Sequence, residues 1–310
     1  MTEIVPPHIE IAASAEDDPR VGRLLARDLA PGETPRAVIV GFPTDVGVRR
    51  NGGRAGAAEG PRAIRQALYR MTPDARAPES FVSLLGKTRD IGDVRVSDDL
   101  ARDQLQLGAI VAGHLERGTF VIVLGGGHET AYGHFLGYVE RGMRVRILNW
   151  DAHADVRPLV NGEAHSGSPF RQALEHPSRT CAGYVVAGLQ PHAAARTHVE
   201  YIESRGGRCV WRPELETERV ESLCDSDDAM MVSFDLDAVD QASAPGVSAP
   251  AADGLRVEQW LAAAALAGRA GAVRSCDVVE LNPALDRDGR TARLAALTVW
   301  RILHGLADRR

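Results

Sequence analysis

The sequence predicts an α/β fold, a single three-layer α/β/α domain built around a mainly parallel central sheet. Three observations lead to this prediction: short apolar runs rich in β-branched residues, helical stretches between them, and polar residues where the runs end. Such runs are typical of parallel strands buried on both faces, and alternation with helices predicts helical layers on both sides. The predicted strands are Ala37–Phe42, Phe120–Leu124, Val145–Trp150, Tyr184–Leu189, Met230–Asp237 and Cys276–Leu281.

Helix boundaries are marked by residue type. The predicted helices span residues 60–71, 97–118, 256–271 and 291–310. Pro61 stands in a first turn, where its missing N–H is tolerated. Ser97 or Asp98 is expected to cap the second helix, which should stop at Gly118. Residues 1–35 are expected to form an N-terminal extension that is partly disordered or lies on the surface, and residues 36–310 a single α/β domain.

Composition favours a small-molecule partner. The 310 residues are 44% hydrophobic, which suffices for a sizeable core. The net charge of −6 and the lack of a dense Lys/Arg run argue against nucleic acid or an anionic membrane as partner. An acidic N-terminus without a signal-peptide pattern, and no apolar run of about 18 residues, predict a soluble cytoplasmic protein.

Candidate metal ligands follow three of the predicted strands. They are His128, Asp151, His153, Asp155, Asp235 and Asp237. In the segment DAHAD, acid and histidine alternate with alanine, so an extended segment presents Asp151, His153 and Asp155 on one side. The segment DLD does the same with two acids. Ligands bind beyond the carboxyl ends of strands in open α/β sheets, so these groups should converge.

Converging carboxylates require positive charge. Each buried and unpaired charge costs roughly several kcal/mol, which a bound dication would offset. Two histidines and four carboxylates exceed the needs of one ion and suggest a two-metal cluster with bridging carboxylates. Oxygen and imidazole ligands without thiolate favour Mn²⁺, with Fe²⁺, Co²⁺ and Ni²⁺ left open. The plainer alternative, in which each residue is a cap or a satisfied polar group, requires six coincidences.

Three other segments lack residues that the motifs they resemble require. GGGHET has Thr130 where a dinucleotide fingerprint needs its last glycine, and it lacks the GK[ST] of a P-loop. DLDAVDQ lacks the glycine and closing glutamate of a calcium-binding EF-hand loop. GVSAP has Pro250 where a nucleophile elbow needs glycine.

Four segments resemble the signatures of the ureohydrolase superfamily, which contains arginases, agmatinases and formimidoylglutamases. They are GGGHE, NWDAHADVR at 149–157, SFDLDAVDQASAPGVSAP at 233–250 and ELNPALDRDGRTARLAA at 280–296. The resemblance covers about residues 37–308 and implies an arginase-like fold, two Mn²⁺ per subunit and a homo-oligomer, a trimer or a hexamer. It implies one ion held by His128, Asp151, Asp155 and Asp235. The other would be held by Asp151, His153, Asp235 and Asp237, with Asp151 and Asp235 as bridges.

Two further segments, HSGSPFRQ and GVRRNGGRAGAAEGPRAIR, look most like formimidoylglutamases. These enzymes of histidine degradation split N-formimidoyl-L-glutamate into glutamate and formamide. A substrate with two carboxylates suits guanidinium groups. The candidate substrate ligands are Arg157, Arg171, Arg50 and Asn51. The alternatives are a guanidine hydrolase (arginase, agmatinase or guanidinobutyrase) and a non-catalytic metal-binding protein.

Three residues are assigned catalytic roles on this resemblance. Asp155 would orient the attacking water by accepting its hydrogen bond, and Glu280 would accept hydrogen bonds from the amidinium nitrogens. His165 is the candidate proton shuttle to the departing amine, because an ordinary imidazole titrates near neutral pH. Glu129 is expected to support the glycine-rich loop as a hydrogen-bond acceptor and not as a ligand.

Overall fold

The central sheet is long and almost entirely parallel. The computed structural model describes residues 4–7, 9, 17–30, 32–76, 78–215 and 220–309. The strands of this part are β1 (Ile4–Val5), β2 (Ala37–Phe42), β3 (Thr88–Val94), β4 (Phe120–Gly125), β5 (Val145–Trp150), β6 (Cys181–Leu189), β7 (Arg208–Trp211), β8 (Ala229–Asp235) and β9 (Val273–Val279). They form one nine-stranded sheet in the order β1-β3-β2-β4-β9-β8-β5-β6-β7. Only β1 and β3 pair antiparallel, so the predicted mainly parallel sheet is confirmed.

Helices cover both faces of the sheet. In the described residues they are α1 (Val21–Leu24), α2 (Val46–Arg50), α3 (Gly60–Leu68), α4 (Pro78–Leu85), α5 (Leu100–Glu116), α6 (Thr130–Arg141), α7 (Pro169–Glu175), α8 (Arg196–Ser204), α9 (Val220–Leu223), α10 (Val257–Arg269) and α11 (Arg290–Ala307). Side chains of β4 alternate between two cores. Phe120 and Ile122 pack with residues of α3, α10 and α11, whereas Val121 and Val123 pack with residues of α5 and α6. This is the predicted three-layer arrangement.

All six predicted strands are present, with shifts at their ends. The strand predicted to reach Asp237 ends at Asp235, and residues 236–238 form a short 3₁₀ turn. The helix predicted from residue 97 begins at Leu100, and its cap is Asp99 instead of Ser97 or Asp98, because the Asp99 carboxylate accepts from the N–H of Arg102 at 3.1 Å. Strands β1, β3 and β7 were not predicted.

The N-terminal region contributes to the sheet where it is described. Ile4 and Val5 pair with β3, and Val21 of α1 is fully buried. Residues 1–3, 8, 10–16 and 31 lie outside the described residues. The predicted extension over residues 1–35 and its boundary at residue 36 therefore stay predictions. No helix in the described part of the chain is both long and apolar enough to span a membrane.

Candidate metal centre and substrate cavity

Four adjacent strands place the candidate ligands at one edge of the sheet. In space β4, β9, β8 and β5 lie side by side and run in parallel. His128 follows β4, Glu280 follows β9, Asp235 ends β8 and Asp151 follows β5. The sheet topology therefore brings these residues together at the carboxyl ends of the strands, as predicted.

The first group of ligand atoms surrounds His128. Its Nδ1 atom lies 2.9 Å from Asp155 Oδ2, 2.9 Å from Asp235 Oδ2 and 3.4 Å from Asp151 Oδ2. One donor atom from each of these four residues falls within 4.8 Å of the others. Three carboxylate oxygens thus face one imidazole nitrogen across a space suited to a cation.

The second group adjoins the first through Asp151. Nδ1 of His153 lies 3.3 Å from Asp151 Oδ1 and 3.2 Å from Asp237 Oδ2. The two oxygens of Asp151 therefore face one group each, which is the arrangement of a bridging carboxylate. Asp235 belongs to the first group only, and its Oδ1 atom accepts from the N–H of Asp237 at 2.9 Å. Bridging by Asp235 stays a prediction.

The charges of the cluster call for a cation. Burial raises the pKa of Asp235 well above its ordinary range and raises the pKa of Asp237 to about 7. Burial alone would lower the pKa of His128, but the facing carboxylates outweigh it and raise that pKa. Nδ1 of His128 is buried and faces carboxylate oxygens at 2.9 Å, but it makes no well-directed hydrogen bond to any described residue. A buried imidazole nitrogen that faces carboxylates which burial makes hard to ionise fits a pair of divalent cations, which would take the place of the imidazole proton.

The glycines before His128 are required by close packing. A Cβ atom at Gly126 would overlap the carbonyl oxygen of Thr44, and one at Gly127 would overlap the Glu129 carboxylate. Glycine thus lets this loop approach the chain after β2, and none of the loop glycines has a positive φ. The Glu129 carboxylate accepts from the N–H of Gly47 at 2.7 Å, so its expected supporting role is confirmed.

Two acidic residues of the site have strained backbones. Asp155 has a φ of 45° and Glu280 a φ of 67°. Residues other than glycine rarely adopt positive φ, and such strain concentrates at functional sites. Burial and the charge of Asp235 raise the pKa of Glu280 well above its ordinary range. The Glu280 carboxylate also accepts from the N–H of His128 at 2.8 Å, which ties the end of β9 to the metal loop.

A cavity of about 290 Å³ opens above the two groups. Its size is close to the lower end of small-ligand sites, roughly 300 Å³. It is lined by Val48, Asn51, Gly52, Gly53, His153, Asp155, Arg157, Ser166, Asp235, Asp237, Ser248, Ala249 and Glu280. The floor is acidic, and Arg157 is the one arginine among these lining residues.

Comparison with known proteins decides the family. A sequence model of the arginase family matches residues 35–305, which is most of the chain. The chain belongs to the arginase family. Its fold and its cluster of histidine and aspartate ligands are therefore those of a family whose members include metal-dependent hydrolases, as the signature segments indicated.

The relatives of this chain within the arginase family include formimidoylglutamases. The chain is 40% identical over 296 residues to a formimidoylglutamase of Rhodococcus jostii, covering 89% of this chain and 88% of the relative. It is 38% identical over 285 residues to a formimidoylglutamase of Geobacillus kaustophilus, covering 88% and 84%. Among solved structures, Trypanosoma cruzi formiminoglutamase with Mn²⁺ superposes with a TM-score of 0.86 at 33% identity, covering 95% of this chain and 100% of that one.

Of the expected substrate ligands of this arginase-family chain, two line the cavity and two do not. The guanidinium of Arg157 donates to Asn51 Oδ1 at 3.0 Å, and both residues line the cavity. Arg50 pairs with Glu163 at 3.0 Å outside it. Arg171 pairs with Glu175 at 3.2 Å and stacks on the ring of Tyr201 at 4.3 Å. Arg50 and Arg171 thus make their contacts outside the cavity lining, and their role as substrate ligands stays a prediction.

His165 lies beside the cavity without lining it. Its ring is buried, and its Nδ1 atom accepts from the N–H of Gly167 at 3.2 Å. Its Nε2 atom lies 3.1 Å from the carbonyl oxygen of Pro158. A carbonyl oxygen only accepts, so Nε2 carries the proton and both nitrogens are engaged by the backbone. These two contacts give the ring a role in holding the loop, while the expected proton transfer by His165 stays a prediction.

Replacing His165 with asparagine separates these two roles. If the ring holds the loop, KM rises, the melting temperature falls and kcat drops by less than about tenfold, because a lost acid–base catalyst would cost roughly 10²–10⁴. Steady-state kinetics with and without added imidazole provide the measurement. A hundredfold loss of kcat that imidazole restores would instead support the proton shuttle.

Sequence reasoning missed two uncharged residues of the site. Ser248 lines the cavity, and its hydroxyl accepts from the N–H of Arg54 at 2.8 Å. The side-chain amide of Asn282 donates to the carbonyls of Arg54 and Ala55 at 3.0 and 2.9 Å, which fixes this loop over the end of β9. Both residues lie in the signature segments, so the signal was present. Only the ionisable residues of those segments had been assigned roles.

Proposed function

We propose that this protein is a binuclear manganese hydrolase that cleaves the amidine C–N bond of N-formimidoyl-L-glutamate to L-glutamate and formamide, a reaction of histidine degradation. The observation that carries the proposal is one cavity with two ligand groups sharing Asp151 at its floor and Arg157 in its lining. The formimidoylglutamase relatives and the Mn²⁺ of the Trypanosoma cruzi enzyme support it.

The floor of the cavity would hold the metal ions. We assign His128, Asp151, Asp155 and Asp235 to one ion, and Asp151, His153 and Asp237 to the other, with Asp235 as a second bridge. A pair of divalent ions, when bound, makes water nucleophilic at neutral pH. The single available imidazole nitrogen of His128 and the divided oxygens of Asp151 support this assignment.

The acidic residues around the floor would orient the reactants. Asp155 lines the cavity and would accept a hydrogen bond from the attacking water, which fixes the direction of its lone pair. Glu280, held with a positive φ, would accept hydrogen bonds from the amidinium nitrogens and place the carbon over the water. Addition of one water and cleavage of the bond to the substituted nitrogen give formamide and glutamate, with the water proton going to the departing nitrogen.

Arg157 would select the acidic end of the substrate. Its guanidinium contacts the neutral Asn51, and the described residues offer it no carboxylate within ion-pair distance. A guanidinium in that position is free to pair with a substrate carboxylate. Agmatine has no carboxylate, and arginine has one beside a positive amino group. Arg157 therefore favours formimidoylglutamate over these guanidine substrates.

A substrate panel tests the proposed reaction. The Mn²⁺-loaded protein is assayed with formimidoylglutamate, arginine, agmatine and guanidinobutyrate, and the products are identified. We expect the highest kcat/KM for formimidoylglutamate, with formamide and glutamate in equal amounts. Urea release from a guanidine substrate at a higher kcat/KM would favour the alternative hydrolases. No turnover of any member by fully loaded protein would favour a non-catalytic metal-binding role.

Replacing Arg157 with methionine should raise KM for formimidoylglutamate by roughly 10- to 150-fold, because a hydrogen bond to a charged group contributes about 1.5–3 kcal/mol. The change in kcat should be smaller, since the contact is remote from the amidine. Arg50→Met is the matched control: it removes the same side chain just outside the cavity and should alter KM less than twofold. Equal effects of the two substitutions would contradict the role of Arg157.

Two expectations accompany this proposal. Assembly into a trimer or hexamer and a cytoplasmic location both remain predictions. Gel filtration with light scattering would decide the first and fractionation of cells the second.

A further inference from the structure

Behind the metal centre, buried polar groups connect the first ligand to the core. The Nε2 atom of His128, the nitrogen that faces away from the cluster, lies 3.0 Å from the hydroxyl of Ser233. That hydroxyl donates to Asp277 Oδ1 at 2.5 Å. The side chains of Ser233 and Asp277 are inaccessible to solvent, so no bulk water competes for these hydrogen bonds.

The chain of contacts continues into α6. The second oxygen of Asp277 lies 2.7 Å from Nδ1 of His134, whose Nε2 atom lies 2.6 Å from the hydroxyl of Ser275. Ser275 in turn contacts the hydroxyl of Tyr138 at 2.5 Å. Ionised, Asp277 can only accept hydrogen bonds, so His134 donates through Nδ1 whether its ring is neutral or charged. His134 thereby holds one carboxylate oxygen of Asp277 while Ser233 holds the other.

The direction of these hydrogen bonds fixes a proton on His128. Because the single hydroxyl proton of Ser233 is committed to Asp277, Ser233 can offer His128 only a lone pair. Nε2 of His128 must then carry its proton and donate. In the neutral ring, Nδ1 is left unprotonated and directed at Asp155 and Asp235. Without Asp277 the hydroxyl could turn and donate to Nε2, which would move the ring proton to Nδ1 and block the metal position.

We propose that Asp277, acting through Ser233, is a positioning residue that holds the proton of His128 on Nε2 and so keeps Nδ1 open to the first metal ion. This inference rests on the proposed metal centre. It does not depend on which amidine or guanidine is the substrate.

Metal affinity is the first test. The Kd for Mn²⁺ is obtained from the concentration of free Mn²⁺, measured by electron paramagnetic resonance. It should rise about 10- to 100-fold in Ser233→Ala and in Asp277→Asn, which is the usual effect of losing a hydrogen-bond partner of a metal-binding histidine. The double variant should be no weaker than Ser233→Ala, because Asp277 acts through Ser233. Tyr138→Phe, which leaves Asp277 and Ser233 intact, should change Kd less than twofold.

A matched control removes a buried hydroxyl elsewhere. Thr298 of α11 accepts from the indole N–H of Trp260 at 2.7 Å, away from the cluster. Thr298→Val should lower the melting temperature without changing Kd for Mn²⁺. If instead it weakens Mn²⁺ binding as much as Asp277→Asn does, the effect is general destabilisation and the proposal fails.

Nuclear magnetic resonance provides a measurement of the His128 ring proton that a change in packing alone would not alter. In the protein loaded with diamagnetic Zn²⁺, the Nε2–H proton of His128 should resonate far downfield and exchange slowly, and it should move upfield in Asp277→Asn. This measurement on the wild type alone keeps the proposal testable if a variant does not fold. Rapid exchange of that proton with water, or a Kd of folded Asp277→Asn within twofold of wild type, overturns it. Failure of the substrate panel would leave both readouts unaffected.

Discussion

Replacing Asp235 with asparagine is expected to abolish Mn²⁺ binding and hydrolysis together. Its Oδ2 atom lies 2.9 Å from Nδ1 of His128 and belongs to the first ligand group. The change removes one negative charge from a site whose affinity depends on carboxylates, while the amide keeps the size of the side chain. We expect less than one thousandth of the wild-type kcat/KM and no bound manganese by elemental analysis after gel filtration.

The metal-free variant should remain folded. Burial raises the pKa of Asp235, so the neutral amide relieves a cost of ionising a buried carboxylate. Its melting temperature should therefore equal or exceed that of the metal-free wild type, whereas the increase caused by Mn²⁺ should disappear. Asp240→Asn is the control, since Asp240 lies in the same segment but outside both ligand groups. An Asp235→Asn variant that retains metal and activity would refute the assignment.

Replacing Glu280 with glutamine is expected to lower kcat/KM by roughly 10²–10³, the usual cost of losing one preorganised electrostatic contact to the transition state. Glutamine retains an oxygen that can accept from the N–H of His128, so the loop should stay in place. What is lost is the negative charge that would face the amidinium. Kinetics on formimidoylglutamate and a Mn²⁺ titration of the same preparation check this prediction.

Comparison with Glu280→Ala separates charge from loop support. Alanine removes both the charge and the acceptor for His128, so it should weaken Mn²⁺ binding as well as turnover. Glutamine should leave the Kd for Mn²⁺ within about threefold of wild type. If glutamine keeps more than half of the wild-type kcat/KM, Glu280 does not bind the amidinium.

Strands could be predicted where their burial appears as a run of apolar residues in the sequence. Strands such as β4 and β8 are apolar on both faces, and this shows in a run of a few residues. Strand β3 was missed because it contains Asp90 and Asp93. Both carboxylates pair with the buried guanidinium of Arg65, at 2.7 and 2.5 Å. A strand whose charges are neutralised by a distant helix cannot be recognised from its own hydrophobicity.

The candidate ligands could be predicted because topology alone brings strand ends together. The direction of a loop side chain cannot be predicted in this way. Arg157 and Arg171 are both close to signature residues, yet Arg157 faces the cavity and Arg171 lies over Tyr201. His165 was assigned by residue type, and its backbone partners became visible only in the folded chain. Such choices depend on tertiary contacts that no local pattern encodes.

The distribution of the ligands along the chain links metal retention to the integrity of the sheet. His128, Asp151 and Asp235 follow or end three different strands, β4, β5 and β8. They meet only when these strands pair in the order β4-β9-β8-β5. Bound ions would act as crosslinks between residues 128 and 237. Loss of the ions would then indicate that one of these strands has moved out of register. A chelator should accelerate unfolding of the interior strands before that of the edge strands.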